Sequence, residues 1–299
     1  MKKGTVIYIS NMNIQVVTAD VKRDVINIED AFRLPLHEGV MLNGVIIDDH
    51  ALKDALKPLS EKGIHEVHLV VDSPKILAKV ASVPKLKEKE ILQFVKDELS
   101  VVENNTMENI VYDYAYLGED PSAKKASRIL CVGVERKFID SYLDVFKELG
   151  ITIKSIDYAV NTLISLVREL PGFLNKTYVI TQVDGQNINS VLFINNEYAL
   201  TSRSRVFANP KTQDYENEIG GLVSQLKQFA SSATHETPIS DIYFFGVSEQ
   251  ESESLFESVY QASNLIAKRL PASRAISVKQ NVEFDVNDYA YCIGYLRRK

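Results

Sequence analysis

The chain has 299 residues, 45% hydrophobic and 25% charged, which is ordinary for a folded protein and long enough for two domains. A net charge of −6 offers no bulk basicity for nucleic acid, and no stretch approaches the roughly 20 apolar residues needed to span a bilayer. Met1-Lys2-Lys3-Gly4 runs straight into a strand-like segment without an apolar h-region or a small-residue cleavage site, so no signal peptide is read. Cys131 and Cys292 each sit inside an apolar run, which reads as two buried thiols in a reducing, cytoplasmic compartment.

Three strands are predicted in the first 30 residues, at about 4–9, 13–19 and 24–29, with turns at Ser10-Asn11 and from Asp20 to Arg23. Residues 30–50 read as loop and short strand, punctuated by Pro35, Gly39, Gly44 and Asp48-Asp49. Leu52, Leu56 and Leu59 share one helical face between Ala51 and Lys62, with Gly63 as C-cap, and His65 to Val71 is a strand. Next come a strand from Ile76 to Val83 and a helix carrying Ile91, Phe94, Val95, Leu99 and Val102 at helical spacing. Strands follow at about 110–117 and 128–134, joined by a polar loop from Gly118 to Lys125, and then a helix at roughly 136–149. A helix over about 158–170 precedes two or three strands between Lys176 and residue 206. Helices at about 214–232, 251–268 and 287–297 flank the strand Asp241 to Phe245.

Most candidate chemistry dissolves on inspection. His65 and His68 lie at i and i+3 on a strand, so they point to opposite faces and cannot share an ion there; no metal site is expected. Cys131 sits in a core-strand setting rather than beside a base. Neither GxxxxGK[ST] nor GxGxxG is present. Gly220-Gly221 is explained as well by close helix packing as by approach to a phosphate. Asp48-Asp49-His50 reads as a solvated turn and Arg297-Arg298-Lys299 as a solvated terminus.

Two segments repeat one design. Thr5 to Val17 and Tyr178 to Phe193 each run strand, short polar loop, strand, and Asn13-Ile14-Gln15 echoes Asn187-Ile188-Asn189. This layout resembles actin-like ATPases, in which two related domains each bring a phosphate-gripping hairpin to one nucleotide. Val83-Pro84-Lys85-Leu86-Lys87-Glu88-Lys89-Glu90-Ile91 is similar to an "lP.l...El" helix start, and Tyr112-Asp113-Tyr114 to an "lDy" strand. Cys131 to Tyr142 with Leu149-Gly150-Ile151, and Ala290 to Arg297, resemble two further runs of the PilM family of type IV pilus assembly proteins. The chain is similar, more distantly, to the cell-division protein FtsA.

The resemblance implies an α/β fold of two actin-like (ribonuclease H-like) domains with an inserted strand-helix-strand-strand module. The divisions expected are 1–74 with 150–175 for the first domain, 75–149 for the module and 176–299 for the second domain. The nucleotide motifs depart from the family. Tyr8 stands where the metal-side Asp belongs, Ser10 where a Gly belongs, and Gln15 replaces a Lys. Gln182-Val183-Asp184 replaces "DiG", and Phe245-Gly246 stands for "GG". The relic loop positions are thus Tyr8, Ser10, Asn13, Gln182, Asp184, Gly185 and Gly246. The expectation is a pseudo-ATPase with no cofactor and no catalytic residues. As a scaffold it would hold the cytoplasmic tail of a PilN-like membrane protein at the inner face of the membrane, in a groove where the inserted module meets the first domain, with Ile76 to Val83 and the helix at 86–102 as the region to probe. A pilus motor ATPase and a homo-oligomer are further partners the resemblance admits. Two alternatives stay open: a working ATPase using ATP with magnesium, and an FtsA-like membrane-tethered filament protein, although no amphipathic helix closes the chain.

Overall fold

A computed structural model describes residues 4–100, 109–120, 122–123, 125–168, 170–233 and 238–298; Val102 and Lys299 lie outside the described residues. The chain opens with β1 (Gly4–Ile9), β2 (Asn13–Lys22) and β3 (Val25–Pro35), then the short pair β4 (Met41–Leu42) and β5 (Val45–Ile46). Helix α1 (Asp49–Glu61) leads to β6 (Glu66–Val71). After these come β7 (Leu77–Pro84), α2 (Glu88–Ser100), β8 (Ile110–Glu119) and β9 (Ala126–Glu135). α3 (Arg136–Glu148), β10 (Thr152–Tyr158) and α4 (Ala159–Arg168) return to the first lobe. The second lobe is β11 (Tyr178–Asp184), β12 (Asn187–Ile194), β13 (Glu197–Arg205), α5 (Gln213–Ala233), β14 (Asp241–Phe245), α6 (Glu249–Ser263) and β15 (Ala267–Arg269). β16 (Ile276–Val278) and α7 (Val286–Arg297) end the chain.

The two large sheets share one five-strand order, to which the first adds β16 beside β3. The first runs β10-β6-β1-β2-β3-β16 and the second β13-β12-β11-β14-β15. In each, three antiparallel strands (β1 to β3, β11 to β13) are extended by parallel strands on the far side of the first. β1 and β11 are therefore central and covered on both faces, which is why they read as continuous apolar runs rather than alternating ones. A third sheet, β7-β9-β8, carries α2.

The lobes are packed, not tethered. One core cluster joins Ile7, Leu69 and Leu163 of the first lobe to Tyr178, Phe193 and Tyr243 of the second through buried α7. α7 crosses α4 so closely that a Cβ on Gly294 would lie 2.1 Å from the Thr162 carbonyl oxygen. Gly220 has the same use between α5 and α6, where a Cβ would meet the Ser258 carbonyl at 2.8 Å.

Several local expectations change. β3 runs on to Pro35 because its second half pairs with the start of β2, Asn13 opposite Pro35, while Asp20 to Lys22 extend β2 against the start of β3. Asp48, exposed with Asp49 and His50, is also the N-cap of α1, accepting the Ala51 N–H at 2.9 Å. α6 begins in a capping box between Ser248 and Glu251 and stops at Ser263, short of 268, because Asn264 turns left-handed at φ +55°. Arg297 is 6% exposed and donates to the Asp24 and Ala275 carbonyls at 2.6 and 3.0 Å. Arg298 pairs with Asp157 at 2.8 Å and lies over the Tyr295 ring, so this end of the chain is anchored rather than solvated.

Candidate functional site

The two duplicated hairpins meet tip to tip. Ser10 Oγ accepts the N–H groups of Met12 and Asn13 at 3.1 and 3.0 Å, which closes the first turn on itself. Asn11 then reaches across the lobes: its backbone N–H and its side-chain Nδ2 both donate to Asp184 Oδ2, at 2.8 and 2.9 Å. Asp184 is 6% exposed, and burial pushes its carboxyl up from the ordinary value against the opposing pull of the Asn11 donors. Beside it Gly185 sits at φ +60°, with Met12 Sδ 3.0 Å from where a Cβ would stand.

Behind the tips lies a buried polar seam. Gln182 Nε2 donates to the Tyr8 hydroxyl at 3.2 Å, and the Tyr291 hydroxyl and Asn189 Nδ2 donate to Gln182 Oε1 at 3.3 and 3.2 Å. The rings of Tyr8 and Tyr291 are 4.6 Å apart, and burial drives both phenols well above the ordinary value. Asp72 at the end of β6 pairs with Arg203 of β13 at 2.6 Å, and Arg203 also donates to the Tyr158 hydroxyl at 3.1 Å. Gly246, at φ +76°, fits where a Cβ would lie 2.3 Å from the Val183 carbonyl oxygen, and its N–H bonds the Asn287 carbonyl. Of the sequence-selected residues, Tyr8, Ser10, Gln182, Asp184 and Gly185 line this junction, and Gly246 closes its floor. Asn13 stays within its own hairpin, its Oδ1 buried without a hydrogen-bond partner. Among the described residues no three His, Cys, Asp or Glu side chains gather to hold a metal.

The seam's charged pair was missed by sequence reading. Arg203 alternates with Ser202 and Ser204 on a strand, and Asp72 ends an apolar one; neither position announces that the two meet 131 residues apart.

A second feature is open where the junction is closed. Val111, Asp113 and Ala115 of β8 stand opposite Val134, Val132 and Leu130 of β9 and share one face of the three-stranded sheet. The other face, with Tyr112, Tyr114 and Cys131, packs on Ile91, Val95 and Leu99 of α2. The first face packs on the first-lobe core at Leu130 and Val134, and the rest of it borders a groove of about 720 Å³. Its opposite wall carries a polar rail: Asp157, Asn161, Ser165 and Arg168, spaced along one side of α4 and the residues just before it. Burial pushes the Asp157 carboxyl up despite its bonds to Asn161 and Arg298. Of the stretch singled out from sequence, Ile76 lines the groove, whereas α2 lies on the sheet's far side.

Two duplicated sheets with facing hairpins define an actin-like ATPase fold, a class whose solved members resemble this chain across nearly its whole length. The family model described as type IV pilus assembly protein PilM matches residues 6–220, and the chain belongs to that family. A solved PilM–PilN type IV pilus biogenesis complex is similar with a TM-score of 0.76 at 13% identity, covering 97% of this chain and 96% of that one. A Bacteroides thetaiotaomicron protein with an actin-like ATPase fold gives 0.52 at 11% identity over 98% of this chain and 95% of that one. The cytoplasmic domain of EpsL, an inner-membrane component of the type II secretion system of Vibrio cholerae, gives 0.50 at 9% identity over 100% and 96%. At these identities the likeness is one of fold. No curated protein matches the chain in sequence.

Proposed function

We propose that this PilM-family protein is a non-catalytic scaffold that holds the cytoplasmic tail of a PilN-like membrane protein in the groove between β8–β9 and α4. The observation that carries the non-catalytic half is the direct bonding of Asn11 to Asp184, which brings the two phosphate-side hairpins into contact. A phosphate beside Asp184 would meet like charge, costing about 1 kcal/mol at 4 Å in water and more when desolvated. Hydrolysis would further need a metal and an activated water, and Tyr8 stands where the family's metal-side acid belongs. The binding half is supported by the similarity to a solved PilM–PilN complex and by the groove's build. An apolar sheet face opposite a polar helix rail suits an extended segment, and β8, last in the sheet order, can pair its outer side with one. None of the described helices is long and apolar enough to cross a membrane, so the partner's own span would hold the protein at the inner membrane face.

Calorimetric titration with a synthetic peptide of the partner's cytoplasmic segment tests this. Binding that Ala115→Arg abolishes, with the fold intact, supports the groove. No heat, or binding indifferent to Ala115→Arg, overturns it.

A further inference from the structure

The groove has a built end. Arg168, in the last turn of α4, donates from Nη1 to the Tyr116 carbonyl at 3.4 Å and from Nη2 to the Leu117 carbonyl. These bonds tie α4 to β8 across the groove. They also occupy main-chain acceptors just past the stretch from Val111 to Ala115. Among the described residues no strand pairs with the outer side of β8. Beyond Arg168 lies a second cavity of about 260 Å³, which Arg168 also lines. Its walls include Leu174, 58% exposed, and Arg128, which is ion-paired with Glu197 of the second lobe. A chain that passed Arg168 would therefore find apolar surface and a route toward the second lobe.

We propose that Arg168 is the end stop of the groove: it confines a bound segment to the Val111–Ala115 stretch of β8 and keeps it out of the second cavity. This rests on the groove reading above. Five residues of β8 span about 17 Å at ~3.4 Å per residue, so the segment held in strand form is short. Arg168 acts here as a positioning residue. It sets how much of the partner is read, by using the carbonyls that a longer strand would need. Burial and the nearby Arg128 guanidinium pull the Arg168 pKa down.

The test is a length ladder. Synthetic peptides of the partner's cytoplasmic segment, extended one residue at a time from either end, are titrated calorimetrically into the wild-type chain and into Arg168→Ala. In the wild type, affinity rises and then stays flat once about five residues are engaged. In Arg168→Ala the flat region is displaced to longer peptides, with about a fivefold gain for each main-chain hydrogen bond added. Arg168→Gln, which keeps an amide donor for β8, falls between the two and serves if the alanine variant melts early. An unchanged flat region with affinity lowered equally at every length contradicts the proposal and leaves Arg168 a simple brace. Failure of every peptide to bind the wild type overturns the groove reading, and the end stop with it.

Discussion

The hairpin junction and the groove both lie between lobes or layers, and they finish in opposite states. At the junction, polar atoms find partners across the gap: Asn11 with Asp184, Gln182 with Tyr8 and Tyr291, Asp72 with Arg203. In the groove, Val111, Ala115 and Val132 are only half-buried, although the polar groups of the α4 rail bond one another and their neighbours. A buried polar seam whose groups mostly pair with one another, Arg203 Nε excepted, holds two lobes in one arrangement, whereas a half-covered apolar face leaves area for another chain. The contrast assigns rigidity to the first region and recognition to the second.

The largest effect should come from breaking the seam's ion pair. Arg203→Met leaves the Asp72 carboxylate, 8% exposed, without its cation, and should cost about 3–5 kcal/mol in urea unfolding. A loss below about 1 kcal/mol, the range of exposed pairs, would show that the seam does not join the lobes. Gly294→Ala drives a methyl into the Thr162 carbonyl and should cost about 1–3 kcal/mol, read as a lower melting temperature. In the groove, Asp113 takes the Tyr114 N–H at 2.8 Å and so covers one edge donor. Asp113→Ala should free it and tighten the partner peptide by about fivefold if the peptide adds as a strand; unchanged affinity would favour docking on the sheet face alone.

The smallest effect concerns pH. The folded-state pKa of Asp184 is raised above 3.8, so its ionised form weakens the fold and protonation relieves the cost. Its contribution to stability therefore improves as pH falls from above the folded pKa toward 3.8. Asp184→Asn should be more stable than wild type near neutral pH, with the gap closing on acidification; a gap independent of pH would mean that the carboxyl is not the titrating group.

Sequence carried much of the frame. The hairpin echo at Asn13 and Asn187 pointed to duplication, and the paired sheet orders express it in full. The PilM resemblance rested on short strings such as Tyr112-Asp113-Tyr114, and the family match spans them all except Ala290 to Arg297. What stayed hidden depends on contacts between distant residues. β15 and β16 are three residues each and exist because β14 and β3 offer them an edge, not because Ala267–Arg269 or Ile276–Val278 carries a strand pattern. Arg297 looked like part of a basic tail because its carbonyl partners, at Asp24 and Ala275, adjoin it only in the fold. The groove was expected between the module and the first domain, and Ile76 lines it, but its walls were hidden for the same reason: one comes from β8 and β9, the other from α4.

The most direct test of the closed junction is thermal unfolding with magnesium and millimolar ATP, set beside the partner peptide. A micromolar nucleotide site would add about 4 kcal/mol at a thousandfold excess and raise the melting temperature by several degrees. The account predicts no shift with nucleotide and a clear rise with peptide. A rise with magnesium and ATP, lost in Asp184→Lys or Tyr8→Ala variants that still fold, would contradict it.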